Sequence, residues 1–160
     1  MVLAALILAV VFSAQEPPPA PIRWSAQPAA ETVKAGGVLG VEVTAAIDEG
    51  WHLYALDPVE GGPIPTKIAA GPAPAFTLHE KDIEKPEPKR SHDPNFGVET
   101  AYYDGSATFG LPIKVAADVP AGEREIEVTA RFQACNDQFC LRPQTATIKI
   151  RVKVSRSAAP

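Results

Sequence analysis

The sequence predicts an all-β fold, an antiparallel β-sandwich, on three observations. Apolar residues alternate with polar ones at a period of two in several separate runs, the mark of strands with one buried face. Seventeen prolines and eleven glycines in 160 residues disfavour long helices, because proline removes a backbone donor and clashes with the preceding turn. Turn signals recur between the runs, and no stretch carries a convincing helical period or an internal repeat. The length suits one domain with one core. A 46% hydrophobic and 21% charged composition is that of a folded soluble protein, and a formal charge of −4 leaves no basic patch, so nucleic-acid binding is set aside.

The chain opens with VLAALILAVVF, Val2 to Phe12, an apolar run ending at Ser13 and Ala14. It fits the hydrophobic part of a secretion signal and is too short to cross a bilayer, which takes about 20 residues. No Lys or Arg precedes Arg23, and no clean A-x-A site stands before Ala14, so a start further upstream and a buried first strand or helix are the other readings. QEPPPAP then reads as an extended linker. Residues 1–14 are thus expected to be a signal, 15–22 a proline-rich linker, 23–154 the folded domain and 155–160 a disordered tail. Export places the cysteines where disulfides are permitted.

Within the domain, VLGVEVTAAI aligns Leu39, Val41, Val43, Ala45 and Ile47 on one face of a strand. The turn Asp48 to Gly50 leads into a second strand, which sends His52 and Tyr54 to the face opposite Trp51, Leu53 and Ala55. Pro63 to Ile68 and Phe76 to Leu78 suit short edge strands, since prolines around them exclude a central position. From His79 to Tyr103 the composition turns polar and charged and reads as one long surface excursion, a length usually functional or disordered. It carries one apolar residue in a polar setting, Phe96, directly before Gly97. ATFGLPIKV then aligns Phe109, Leu111, Ile113 and Val115. The last two strands are the clearest, with Ile126, Val128, Ala130, Phe132 and Ala134 in one and Ala146, Ile148, Ile150, Val152 and Val154 in the other. Some seven short strands so spaced describe a sandwich of immunoglobulin-like type.

The two cysteines, Cys135 and Cys140, stand between those last strands at the mouth of a hairpin, with four residues between them. A structural bridge is the common fate of two cysteines in an exported protein. Closing a loop of about six residues contributes only roughly 2 kcal/mol, against nearly 5 for a loop of about a hundred. If the alternation persists, Cys135 falls on the face of Glu127, Thr129, Arg131 and Gln133, away from the core. A metal site needs three or four ligands, and His52, His79 and His92 are scattered without ligand spacing, so no metal is expected. An accessible, weakly stabilising bridge also suits thiol–disulfide exchange, which proceeds through a mixed disulfide. Spacing alone leaves the bridge structural or redox-active, since C-x4-C differs from the CxxC of thioredoxins.

RFQACNDQFCLRPQT followed by a final alternating strand resembles the end of the N-terminal periplasmic domain of the DsbD family of thiol:disulfide interchange proteins. The family's usual form is an aromatic residue, Gln, a small residue, Cys, several residues, Cys, then Pro and Gln-Thr or Glu-Thr. GWHLYAL is similar to that family's Gly-aromatic-aromatic-Leu-Tyr strand, and SHDPNFGVETAYYDG to its cap segment and the strand after it. The likeness spans roughly Trp24 to Val154, with the cysteine motif its specific part.

The resemblance implies an immunoglobulin-like redox domain in the periplasm, without a cofactor, acting as a protein-disulfide reductase. It implies reduction by a thioredoxin-like donor and delivery of electrons to periplasmic disulfide isomerases or thioredoxin-like proteins of cytochrome c maturation. Cys140 would be the attacking thiol and Cys135 the resolving one. Phe96 matches the aromatic ring of the cap that shields the bridge, flanked by Asp93 and Asn95 as residues that tune the thiol. The strand of His52 and Tyr54 passes close to the cysteines, and His52 stands where the family usually has an aromatic. A nearby imidazolium would favour the thiolate, and a neutral imidazole would accept a thiol proton. Full-length members continue into a membrane domain and a thioredoxin-like domain, whereas this chain stops six residues after Val154. The electron donor is therefore expected on a separate protein, such as a membrane electron transporter, unless the chain is a fragment. The rival reading is a non-catalytic interaction domain in which the bridge pins a hairpin.

Overall fold

The structure, a computed structural model, describes residues 20–156. The expected signal, most of the expected linker and the end of the expected tail lie outside the described residues. Twelve strands follow one another: β1 Ile22–Pro28, β2 Thr32–Lys34, β3 Val38–Ile47, β4 His52–Tyr54, β5 Lys67–Gly71, β6 Phe76–Thr77, β7 Lys89–Asp93, β8 Val98–Tyr103, β9 Ser106–Val115, β10 Gly122–Phe132, β11 Ala134–Cys135 and β12 Gln144–Ser155. The domain begins one residue before the expected boundary and ends one residue after it, because Ile22 pairs with Ile47 and Ser155 with Lys34.

Two four-stranded sheets, in the orders β1-β3-β9-β6 and β2-β12-β10-β5, enclose the core. Every pairing is antiparallel except that of β2 with β12. The inward positions read from the alternation are the buried ones: Leu39, Val41, Val43, Ala45, Phe109, Leu111, Ile113, Ile126, Val128 and Ala130 are each at most 2% exposed. Trp24 of β1 reaches between the layers, its ring 5.4 Å from Phe132 and 6.2 Å from Phe109. This is the all-β sandwich that the periodicity predicts.

The expected strand Pro63–Ile68 forms instead at Lys67–Gly71. Pro63 and Pro65 have no N–H for a ladder, and Thr66 is spent on the neighbouring segment, its N–H donating to Ala55 O and its hydroxyl to Tyr54 O. The expected surface excursion from His79 to Tyr103 is the larger correction. Ile83 is buried, and Glu84 exchanges both backbone hydrogen bonds with Gly110 of β9, at 2.9 Å each. The chain then builds the β7–β8 hairpin, turning at Pro94–Gly97, where Gly97 adopts φ 69° and donates its N–H to Asp93 O. High polarity hid this hairpin, because one of its faces never meets the hydrophobic core.

That hairpin belongs to a third sheet, ordered β11-β4-β8-β7. One face carries Leu53, Ala101, Tyr103 and Ala134 onto the core. The period of two places Cys135, His52, Tyr54, Tyr102, Thr100 and Asp93 together on the other face.

Candidate functional site

The cysteines are joined as a disulfide inside a miniature hairpin spliced between β10 and β12. Leu141 N–H donates to Ala134 O at 2.9 Å and Asn136 N–H to Phe139 O at 3.0 Å, so the cysteines face each other across two short antiparallel arms. Asn136 shapes the tip: its Oδ1 accepts the N–H groups of Gln138 and Phe139, both at 2.9 Å. Short side-chain acceptors of this kind stand in for backbone in tight turns.

Strand parity correctly put Cys135 off the hydrophobic core, but the sulfur-bearing residue is fully buried rather than solvent-facing. The ladder of β10 ends before Gln133, and Cys135 becomes the partner of His52 in the third sheet. Cys140 is only half-buried. One bridge thus joins a residue without solvent access to one that is partly exposed.

Beside it lies a continuous hydrogen-bonded chain. Tyr54 Oη donates to Asp93 Oδ2 at 2.5 Å, and His52 Nε2 lies 3.1 Å from Tyr54 Oη. The phenol has one proton and gives it to the carboxylate, so His52 donates from Nε2 and its Nδ1 is the free ring nitrogen. Asp93, 4% exposed, also accepts from Asn95 N–H at 2.8 Å and Thr100 Oγ1 at 3.5 Å. Burial and the Asp93 carboxylate push the Tyr54 phenol far above its ordinary range, which keeps it a donor. Burial pushes His52 below the usual imidazole value, against the opposing fields of Asp93, Asp137 and Asp104. Neutral imidazole is therefore its form at pH 7.

Phe96, at the tip of the β7–β8 hairpin, packs edge-on against Tyr54 with ring centroids 5.9 Å apart. Asn95 reaches across from the same turn, its Nδ2 donating to Asn136 O at 2.8 Å. The hairpin tip is thereby tied directly to the cysteine turn. All seven residues singled out from the sequence, Cys135, Cys140, His52, Tyr54, Asp93, Asn95 and Phe96, meet on this one face.

Sequence reasoning missed Asn136, Thr100, Tyr102 and the pair Trp51 and Phe139. Phe139 precedes Cys140, stays 48% exposed and meets Trp51 edge-on at 5.6 Å. An apolar ring inside a polar turn was its available signal, the same one that drew attention to Phe96. A cavity of about 210 Å³ opens between β4, the β7–β8 hairpin and the cysteine turn, with His52, Thr100, Tyr102, Asp104 and Asp137 in its wall. Among the described residues no cluster of side chains suits a metal ion, and no helix is long and apolar enough to cross a membrane.

Comparison with known proteins adds three findings. The family model described as the N-terminal part of the thiol:disulfide interchange protein DsbD matches residues 23–151. The crystal structure of the N-terminal periplasmic domain of ScsB from Proteus mirabilis superposes with a TM-score of 0.60 at 17% identity, covering 85% of this chain and 48% of that one, so the chain spans about half the length of that structure. BcpA, the major pilin subunit of Bacillus cereus, aligns with a TM-score of 0.41 at 12% identity over 84% of this chain and 41% of its own. No curated protein matches the sequence.

Proposed function

From the premise that the chain belongs to the family of N-terminal domains of the thiol:disulfide interchange protein DsbD, we propose that it relays reducing equivalents in the periplasm through Cys135 and Cys140. The donor in this reading is a thioredoxin-like domain, carried by a separate protein or a membrane electron transporter. The acceptors are periplasmic disulfide isomerases or thioredoxin-like proteins of cytochrome c maturation. Residues 1–14 act as the export signal and residues 23–154 as the exchanging domain.

The observation that carries this reading is the unequal exposure of the two cysteines, Cys135 fully buried and Cys140 partly exposed. A partner thiolate attacks Cys140, the bond to Cys135 breaks, and the mixed disulfide forms at the reachable position. The test mixes the oxidised domain with reduced thioredoxin-fold proteins and follows thiol transfer. Exchange well above the rate with a small dithiol supports the relay. No exchange, together with a potential below about −300 mV where structural bridges sit, overturns it in favour of a bridge that merely pins the hairpin. Full burial of Cys135 is the feature that favours that rival.

Two residues around the bridge give separate expectations. Phe139 sits next to Cys140 and holds an apolar ring outward against Trp51, where any protein joined to Cys140 must touch it. Exposed aromatic anchors of this kind carry much of an interface's energy. Phe139→Ala is expected to slow exchange with a thioredoxin-fold protein by about tenfold, the equivalent of roughly 1.4 kcal/mol. Its reaction with dithiothreitol should not change, and stopped-flow rates for the two reductants check this. Phe96 roofs Tyr54 from the hairpin tip, and Phe96→Ala should speed reduction of the bridge by small thiols. An unchanged rate removes Phe96 from the shield.

A further inference from the structure

We propose that His52 is the proton carrier of the buried cysteine, taking the proton of Cys135 when that thiol attacks and returning it when Cys135 is displaced. The inference rests on the exchange reading and names the group that makes its buried half possible. Three observations carry it. Cys135 and His52 are ladder partners with side chains on the same face of the third sheet, which puts their Cβ atoms about 5 Å apart. Cys135 has no solvent access, so a thiolate formed there has no water to receive or supply its proton. Tyr54, itself held by Asp93, occupies Nε2 of His52, which leaves Nδ1 as the free basic nitrogen.

In the forward half-reaction a partner thiolate attacks Cys140 Sγ and a new sulfur–sulfur bond forms there. The Cys135–Cys140 bond breaks, and its electron pair leaves on Cys135 Sγ as a thiolate. His52, which lines the cavity open to solvent, takes one proton from water and hands it to that thiolate. In the return half-reaction Cys140 is joined to an acceptor. His52 removes the proton from the Cys135 thiol, the thiolate attacks Cys140 Sγ, the disulfide re-forms, and the acceptor leaves as a thiolate carrying two electrons. An ordinary thiol, with a value near 8.5, is only a few per cent ionised at pH 7. A neutral base beside it removes that handicap.

The groups around His52 set the pH range. Tyr54 shares its strand, Tyr102 of β8 lies 5.3 Å away ring to ring, and Asp93 of β7 stands 3.8 Å from Nε2. Asp104, paired with Lys89, and Asp137 of the cysteine turn face the same cavity, as does His92. The three aspartates favour the imidazolium and burial opposes it, with burial the larger effect. Resolution by Cys135 is therefore fast above the His52 titration and slows as pH falls through it, below the usual 6.5.

The reduced domain reacting with 5,5′-dithiobis(2-nitrobenzoate) tests this without any protein partner. It releases one chromophore when Cys140 attacks and a second when Cys135 resolves. Expected are a second phase that loses rate below about pH 6.5 in the wild type and slows on the order of tenfold at pH 7 in His52→Gln, which keeps a donor for Tyr54. The first phase should stay within about twofold. His52→Phe should match His52→Gln in the second phase. A second phase in His52→Gln as fast as the wild type, or an equal slowing of both phases, overturns the proposal. Because the reagent replaces the partner, this result is independent of whether thioredoxin-fold proteins exchange with the domain.

Discussion

Cys135→Ser is expected to turn the domain into a trap: a partner whose disulfide is attacked by the free Cys140 thiol stays covalently attached because no second thiol remains to release it. Expressed in the periplasm, this variant should yield adducts that migrate at higher mass and collapse on reduction. Cys140→Ser should trap on the order of tenfold less, because the remaining thiol of Cys135 is fully buried between β4 and the cysteine turn. Equal trapping by the two variants would remove the assignment of Cys140 as the entry point. Absence of any adduct from Cys135→Ser would remove the relay itself. Both variants lose the bridge, and a loop this short costs only about 2 kcal/mol when opened, so loss of fold does not account for a difference between them.

Phe109→Ala is expected to cause the largest loss of stability, about 3–5 kcal/mol, the range for deleting a buried aromatic ring. Phe109 is fully buried, stacks near Trp24 and meets Tyr103 edge-on with ring centroids 5.5 Å apart. Tyr103 is the core-facing residue of β8, and its Oη donates to Pro86 O at 3.1 Å. Deleting the Phe109 ring thus removes the floor on which the third sheet rests. For a domain whose total stability is about 5–15 kcal/mol, the urea midpoint should fall sharply with an unchanged slope. Alkylation of the reduced cysteines should also become faster in the native state. A shift under about 1 kcal/mol would mean that the core refills the cavity.

The sandwich was legible in the sequence because its strands face one core and water, and the alternation of Leu39 to Ile47 or Ile126 to Ala134 records that division residue by residue. The third sheet was not, for a related reason. Its outer face is neither core nor surface but a polar interior, where Asp93, Thr100 and Tyr54 are buried through mutual hydrogen bonds. Polarity in β7 and β8 then reads as loop. The resemblance carried by QACNDQFCLRPQT and the flanking segments pointed to seven of the residues gathered around the bridge and passed over Asn136, Thr100, Tyr102, Trp51 and Phe139, and periodicity alone gave no reason for His52 and Asp93 to meet, 41 residues apart along the chain. Parity told which way Cys135 points but not what lies above it. The Asn136 turn escaped the sequence altogether, because its role lies in the backbone N–H groups of Gln138 and Phe139 that its side chain holds.

The ladder contacts between Ala134 and Leu141 and between Asn136 and Phe139 close the cysteine turn upon itself, while Asn95 ties it to a hairpin from a distant part of the chain. The turn and its tie are therefore separable. A change at residues 137–139 alters the turn that carries Cys140 without replacing any residue of β10 or β12, and a change at 94–97 alters the hairpin tip that holds that turn. Such an arrangement lets descendants of one domain drift toward new partners through a three-residue turn, keeping the scaffold and the sulfur chemistry intact.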